Sequence, residues 1–258
     1  EQPDAQTVKA ILQENKSITH VAMVHSETTS GILNDVQSIG RVVKEAGATF
    51  IVDAMSSFAG VDIPVREWGI DCIISSANKC IQGVPGFAYV IVRKDLLAAC
   101  EGNARSLSLD LYDQWKTMNV DGKWRFTSPT HVVLAFAKAM EELETEGGIA
   151  ARHERYAANE KLLRKKLSAL GFVPFLEQGV QGPIITTFYY PAGCDFSFHE
   201  MYDYIKERGY ILYPGKTTKA ETFRIGNIGE IYQEDIDKLA DLLSDFLDSK
   251  HNLQAKGA

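Results

Sequence analysis

Two apolar runs, Thr49-Phe-Ile-Val-Asp53 and Cys72-Ile-Ile-Ser-Ser76, narrow the folds open to this chain more than any other feature. Both are rich in branched residues and show almost no polar alternation, which is the pattern of strands covered on both faces in an α/β sheet. A run from His20 to His25 precedes them and another from Phe87 to Val92 follows. Helical spacing from Val36 to Ala46 separates the first two runs, and Gly47 is placed to end that helix. Strand, helix, strand predicts a mostly parallel sheet. Such sheets present functional groups at the carboxyl ends of their strands, and His25-Ser-Glu-Thr28, Asp53 and Lys79 all fall there.

The remainder of the chain reads differently. A short helix is expected from Val8 to Asn15, another from Val132 to Leu143, and a charged one from Ile149 to Leu170 whose EKLLRKK stretch is a solvated face. Apolar runs at Ile184–Tyr190, Tyr210–Tyr213 and Phe223–Ile225 then alternate with helices at Ser197–Arg208 and Gln233–Ser249, giving a compact α+β lobe. The expected division is residues 1–145 as a large α/β domain, 146–250 as a smaller C-terminal α+β domain, and 251–258 as a frayed tail.

Composition removes several functions. With 27 Lys+Arg against 34 Asp+Glu the net charge is −7, which argues against a nucleic-acid partner. No stretch approaches the ~20 apolar residues of a membrane span, and the polar opening EQPDAQ does not suit a secretory signal, so a cytoplasmic setting is expected. Cys72, Cys80, Cys100 and Cys194 form no CxxC pair, so neither a zinc site nor a dithiol motif is expected.

The chemistry rests on Asp53 and Lys79. A carboxylate at the end of an apolar strand must find a cation or strong donors. An ammonium in the same setting is paired, solvated or reactive. Taken singly, each has a structural reading. Taken together they are the acid and the amine that pyridoxal phosphate demands: one bonds its pyridine nitrogen, the other forms a Schiff base with its aldehyde. The carboxylate keeps the ring protonated, and the freed amine shuttles the substrate Cα proton. A spacing of 26 residues with a crossover between them can place the two on neighbouring or near-neighbouring strands.

Five motifs in order, HSETTSG at 25–31, DAMSS at 53–57, SANK at 76–79, TSPT at 127–130 and RIGNIG at 224–229, resemble the class V aminotransferases of fold type I. The resemblance runs from about His20 to Leu247. It implies pyridoxal phosphate as cofactor, Lys79 as its lysine and Asp53 as the partner of its ring nitrogen. Thr28 matches the hydroxyl beside the phenolic oxygen, Met55 and Ser56 the ring-contact region, and Asn78 the polar position before the lysine. Thr127 is similar to the residue that reaches the phosphate of the neighbouring subunit, which implies a homodimer. Arg224 resembles the arginine that holds the substrate anion. Each has an ordinary counterpart: a turn residue for Thr28 and Asn78, core packing for Met55, a helix cap for Thr127, a surface salt bridge for Arg224.

The stretch from SANKCIQGVPGFAYVI to FTSPTHVV points within the family to amino transfer from a phosphonate amine to pyruvate, with alanine as product. Alanine:glyoxylate or serine:pyruvate exchange keeps the chemistry and changes the substrates. Cysteine desulfuration shares the fold type but needs a mobile nucleophilic cysteine, and Cys80 sits directly after Lys79. Lys216 and Lys219 lie in a loop that reaches toward substrate on the same reading. Family members also carry an upstream segment whose Gly/Ser/Thr turn cradles the phosphate, and this sequence begins after it. The sheet is therefore expected to be incomplete at its amino end, and an inactive remnant without cofactor is the alternative to an enzyme.

Overall fold

A computed structural model describes residues 2–191, 196–215, 217 and 220–256, apart from the side chains of 251–256. Cys194, Lys216 and Lys219 lie outside the described residues. Along the chain the elements are α1 (Ala5–Glu14), β1 (His20–Val24), β2 (Ser26–Glu27), β3 (Ile32–Leu33), α2 (Val36–Glu45), β4 (Thr49–Asp53), β5 (Cys72–Ser76) and β6 (Ala88–Val92). There follow α3 (Lys94–Ala98), α4 (Leu111–Asp121), α5 (Thr130–Glu146), α6 (Gly148–Ala169), β7 (Ile185–Tyr189), α7 (Phe198–Lys206), β8 (Tyr213–Pro214), β9 (Thr222–Gly226) and α8 (Gln233–Lys256).

The chain forms two compact units. The first holds residues 1–25, 35–55 and 63–142; the second holds 26–34, 56–62 and 143–258. In the first, a four-stranded sheet has the order β1-β4-β5-β6, parallel across β1, β4 and β5, with β6 antiparallel to β5. Helix α2 begins at Asp35, whose carboxylate accepts from the Ser38 amide, and ends as expected at Gly47, where φ is +73°. Its apolar face of Val36, Ile39 and Val43 is buried, as are Phe50 and Val52 of β4. Gly40 permits this close approach, since a side chain there would run into the Trp68 carbonyl oxygen and come within 3.1 Å of the Phe50 ring.

Strand β1 departs from the expectation of strands covered on both faces: His20, Ala22 and Val24 are exposed. It is the edge of the sheet, and the short polar α1 does not cover it.

The second unit contains the β2–β3 hairpin and an antiparallel sheet of order β7-β9-β8 with α6, α7 and α8. Leu163, Phe172, Phe188, Met201, Phe223, Leu239 and Leu243 are among the buried side chains of its core. Helix α8 continues to Lys256 rather than fraying after Ser249, because no glycine or proline interrupts residues 250–256 before Gly257. Among the described residues, no helix is long and apolar enough to cross a membrane, and no cluster of His, Cys, Asp and Glu could hold a metal ion.

Candidate active site

In the first unit, Asp53 closes β4 opposite Ile74 of its parallel neighbour β5. Side chains alternate along a strand, so Ile51 and Asp53 share a face with Ile74 and Ser76. The half-buried Asp53 carboxylate is held at one oxygen, where Oδ1 accepts from the Met55 amide at 2.8 Å. Its Oδ2 has no partner among the described residues. The Asp53 carbonyl accepts from the His25 amide at 2.8 Å, which carries the β1–β4 pairing past the end of β1 and fixes the backbone beneath the acid.

Lys79 lies just beyond β5, in the loop that turns back toward β6. That loop is closed twice over: the Gln82 amide donates to the Lys79 carbonyl and the Gly83 amide to the Ala77 carbonyl, both at 2.8 Å. Gln82 adopts the left-handed region with φ +65°, a conformation that costs a non-glycine residue free energy and persists because the loop over-determines it. Gly83 is required, since a Cβ there would lie 2.7 Å from the Ala77 oxygen. Lys79 is half-buried and forms no ion pair among the described residues, with Asp53 or with any other acid. Acid and amine therefore belong to the same end of one sheet without neutralising each other. Burial depresses the imidazole of neighbouring His25 to about 4, and its ring meets Trp68 edge-on at 5.9 Å.

Other predicted residues fall as follows. Asn78 is exposed, as a solvent-facing turn residue would be, and Met55 is half-buried. Thr127 is exposed, its hydroxyl makes no hydrogen bond among the described residues, and it lies outside α5, which begins at Thr130 after Pro129. It is thus not the cap of that helix.

Thr28, Ser56 and Arg224 belong to the second unit. Ser56 is buried. Thr28 stands at the tip of the β2–β3 hairpin, where the Glu27 carboxylate accepts from the Thr29 amide at 2.8 Å and Gly31 turns with φ +97°. Arg224 is not in a surface salt bridge. It is 7% exposed in the middle strand β9, its Nε donates to the Pro214 carbonyl at 3.1 Å, and its Nη1 donates to the Thr28 carbonyl at 2.9 Å. No carboxylate neutralises it among the described residues. The guanidinium is oriented by two main-chain carbonyls and keeps its charge and its Nη2 for an anion. Tyr213, which the motifs did not single out, pairs with Arg224 across β8 and β9 and has its ring 5.8 Å from the guanidinium carbon.

A fixed acid and a lysine without an ion pair among the described residues, at one end of a parallel sheet, suit a pyridoxal-phosphate enzyme. The chain belongs to the class-V aminotransferase family, whose model matches residues 1–239. Class-V aminotransferases depend on pyridoxal phosphate, the cofactor the motifs implied. A 2-aminoethylphosphonate–pyruvate transaminase of Lysinibacillus sphaericus (strain C3-41) is 55% identical over 97% of this chain and 68% of its own length. One of Bacillus cereus (strain ZK / E33L) is 55% identical over 92% of this chain and 65% of its own. The chain thus spans about two thirds of the length of the curated relatives it matches. In structure it is similar to ureidoglycine-glyoxylate aminotransferase from Bacillus subtilis, with a TM-score of 0.85 at 24% identity over 96% of this chain and 65% of that one. Pyridoxamine-pyruvate aminotransferase from Mesorhizobium loti gives 0.83 at 24% identity over 98% and 64%.

Proposed function

We propose that this chain carries the catalytic residues of a pyridoxal-phosphate transaminase that moves the amino group of 2-aminoethylphosphonate to pyruvate, giving phosphonoacetaldehyde and L-alanine. The observation that carries the reading is that, among the described residues, Oδ2 of Asp53 has no partner and the lysine at the same sheet end has no counter-ion. A carboxylate held at one oxygen and open at the other suits a protonated ring nitrogen, so the residues present fit the cofactor. Bound there, pyridoxal phosphate supplies an electron sink for the bond that breaks at the substrate carbon.

The rest of the work falls to side chains. Asp53 holds the proton on the ring nitrogen, and its carboxylate charge makes that proton stable. Lys79 carries the cofactor and moves a proton at the substrate Cα, its loop restricting where the amine can reach. Thr28 offers a hydroxyl to the phenolic oxygen, while Met55, Ser56 and Asn78 bound the ring. Arg224 holds the carboxylate of pyruvate in one half-reaction and the phosphonate in the other, a guanidinium fork matching both.

The active form is a homodimer in this reading, with Thr127 reaching the phosphate bound to the partner. Leu107, Leu109, Val120, Trp124, Phe126 and Leu134 are all exposed within one stretch around Thr127, an apolar concentration that suits burial against a second copy. Cys72 and Cys100, which form no disulfide among the described residues, suit a reducing, cytoplasmic compartment. Desulfuration is disfavoured because Cys80 is wholly buried.

The test is a donor–acceptor matrix. The protein carrying this chain should transaminate 2-aminoethylphosphonate with pyruvate at a kcat/KM at least tenfold above alanine or serine with glyoxylate. A preference for the latter pairs would refute the substrate assignment, and absence of transamination with every pair would refute the reaction.

A further inference from the structure

At the opposite end of the first unit's sheet, before β4 and β5 begin, lies a cleft of about 620 Å³ lined in part by Ala48, Val65, Ile70, Ile91 and Val92. Its volume is that of a small-molecule site. Four cations, Lys44, Arg66, Arg93 and Lys94, share it with one acid, Asp71, in a chain whose net charge is −7. Arg93 is already satisfied. Its Nη1 donates to Asp71 Oδ1 at 2.6 Å, its Nε to Asp95 Oδ1 at 3.1 Å, and its Nη2 pairs with Asp95. The second oxygen of Asp71 is taken by the Phe50 amide at 2.8 Å.

That leaves Lys44, Arg66 and Lys94 without an ion pair among the described residues, around a cleft whose only lining acid is fully engaged. Lys44 also stands in the last turn of α2, where a cation is at home, so by itself it would signify little. Its stem, however, is laid against the cleft by a specific device. Gly69, at φ +68°, has no side chain, and Lys44 Cδ comes within 3.3 Å of the place a Cβ would occupy. Three like charges lining one cleft, with no free acid among its lining, favour an anion there.

We infer that this cleft binds a small ligand joining a flat ring body, of the nucleoside kind, to a phosphate or similar dianion, the ring face on the aliphatic residues and the anion between Lys44, Arg66 and Lys94. The site is separate from Asp53 and Lys79 and does not rest on the transaminase reading.

Adenosine 5′-monophosphate is the probe, titrated calorimetrically at low salt into the protein preloaded with pyridoxal phosphate, with adenosine and inorganic phosphate in parallel. The nucleotide should bind at least tenfold more tightly than either part. Lys44→Ala combined with Arg66→Ala, and separately Lys94→Glu, should weaken it at least tenfold, while Arg224→Gln at the other anion site leaves it unchanged. All three replaced cations are exposed, so folding is not at stake, and unchanged circular dichroism verifies this. Absence of binding, binding indifferent to these substitutions, equal binding of adenosine or phosphate, or loss in Arg224→Gln would each overturn the inference.

Discussion

Acid should weaken this fold through His25 before most carboxylates begin to titrate. The imidazole is 2% exposed, and burial lowers its value from 6.5 to about 4. The folded state thus prefers the neutral ring, whereas the unfolded chain takes up the proton at the ordinary value. Stability from this group is complete above pH 6.5, falls as pH drops toward 4, and changes no further below that. At about 1.4 kcal/mol per unit, the full loss is roughly 3 kcal/mol, of which about 2 kcal/mol is gone by pH 5. Urea denaturation midpoints at intervals from pH 8 to 5 measure this, with His25→Phe keeping a ring beside Trp68 while removing the titration. Glu160, raised by burial, acts in the opposite sense as pH falls, but it is common to both proteins and cancels in the difference. The variant should have the flatter profile between pH 7 and 5, by about 2 kcal/mol. Parallel profiles would refute the assignment of the loss to His25.

Gly40→Ala should cost about 1–3 kcal/mol in urea denaturation, because the added methyl meets the Trp68 carbonyl and the Phe50 ring, neither of which can move without disturbing β4. Arg224→Lys keeps the charge but loses the fork and its bonds to Pro214 and Thr28; kcat/KM for 2-aminoethylphosphonate should fall roughly 30- to 200-fold, about 2–3 kcal/mol, with far-UV circular dichroism unchanged. Leu109→Lys with Phe126→Lys should shift the protein from dimer to monomer in light scattering; an unchanged mass would argue against this face as the dimer contact.

The strands Thr49–Asp53 and Cys72–Ser76 were legible to the residue, because continuous branched runs bounded by polar residues have few other uses. The antiparallel turn of β6 was not, since a strand's direction leaves no mark on its own composition. Helix α4 was missed although its ends are signed: Asp110 caps the Asp113 amide, and Gly122 closes the helix at φ +78°. Its weak amphipathic pattern hid it, and the capping pair would have revealed it. The pairing of Thr28 with Arg224 joins residues 196 apart in sequence through a main-chain carbonyl, which the identity of residue 28 does not encode. Nor does any linear boundary express that 26–34 and 56–62 group with the C-terminal unit. The motifs supplied the acid, the lysine and the arginine. Only the structure shows the arginine buried and without a carboxylate partner among the described residues.

The most direct measurement is the visible absorbance of pyridoxal phosphate titrated into the native protein, Lys79→Ala and Asp53→Asn. The account predicts a lysine-linked band in the native protein, its loss in Lys79→Ala, and a displaced band with cofactor held more weakly in Asp53→Asn. A lysine-linked band of full strength in Lys79→Ala, or one unmoved in Asp53→Asn, would contradict it.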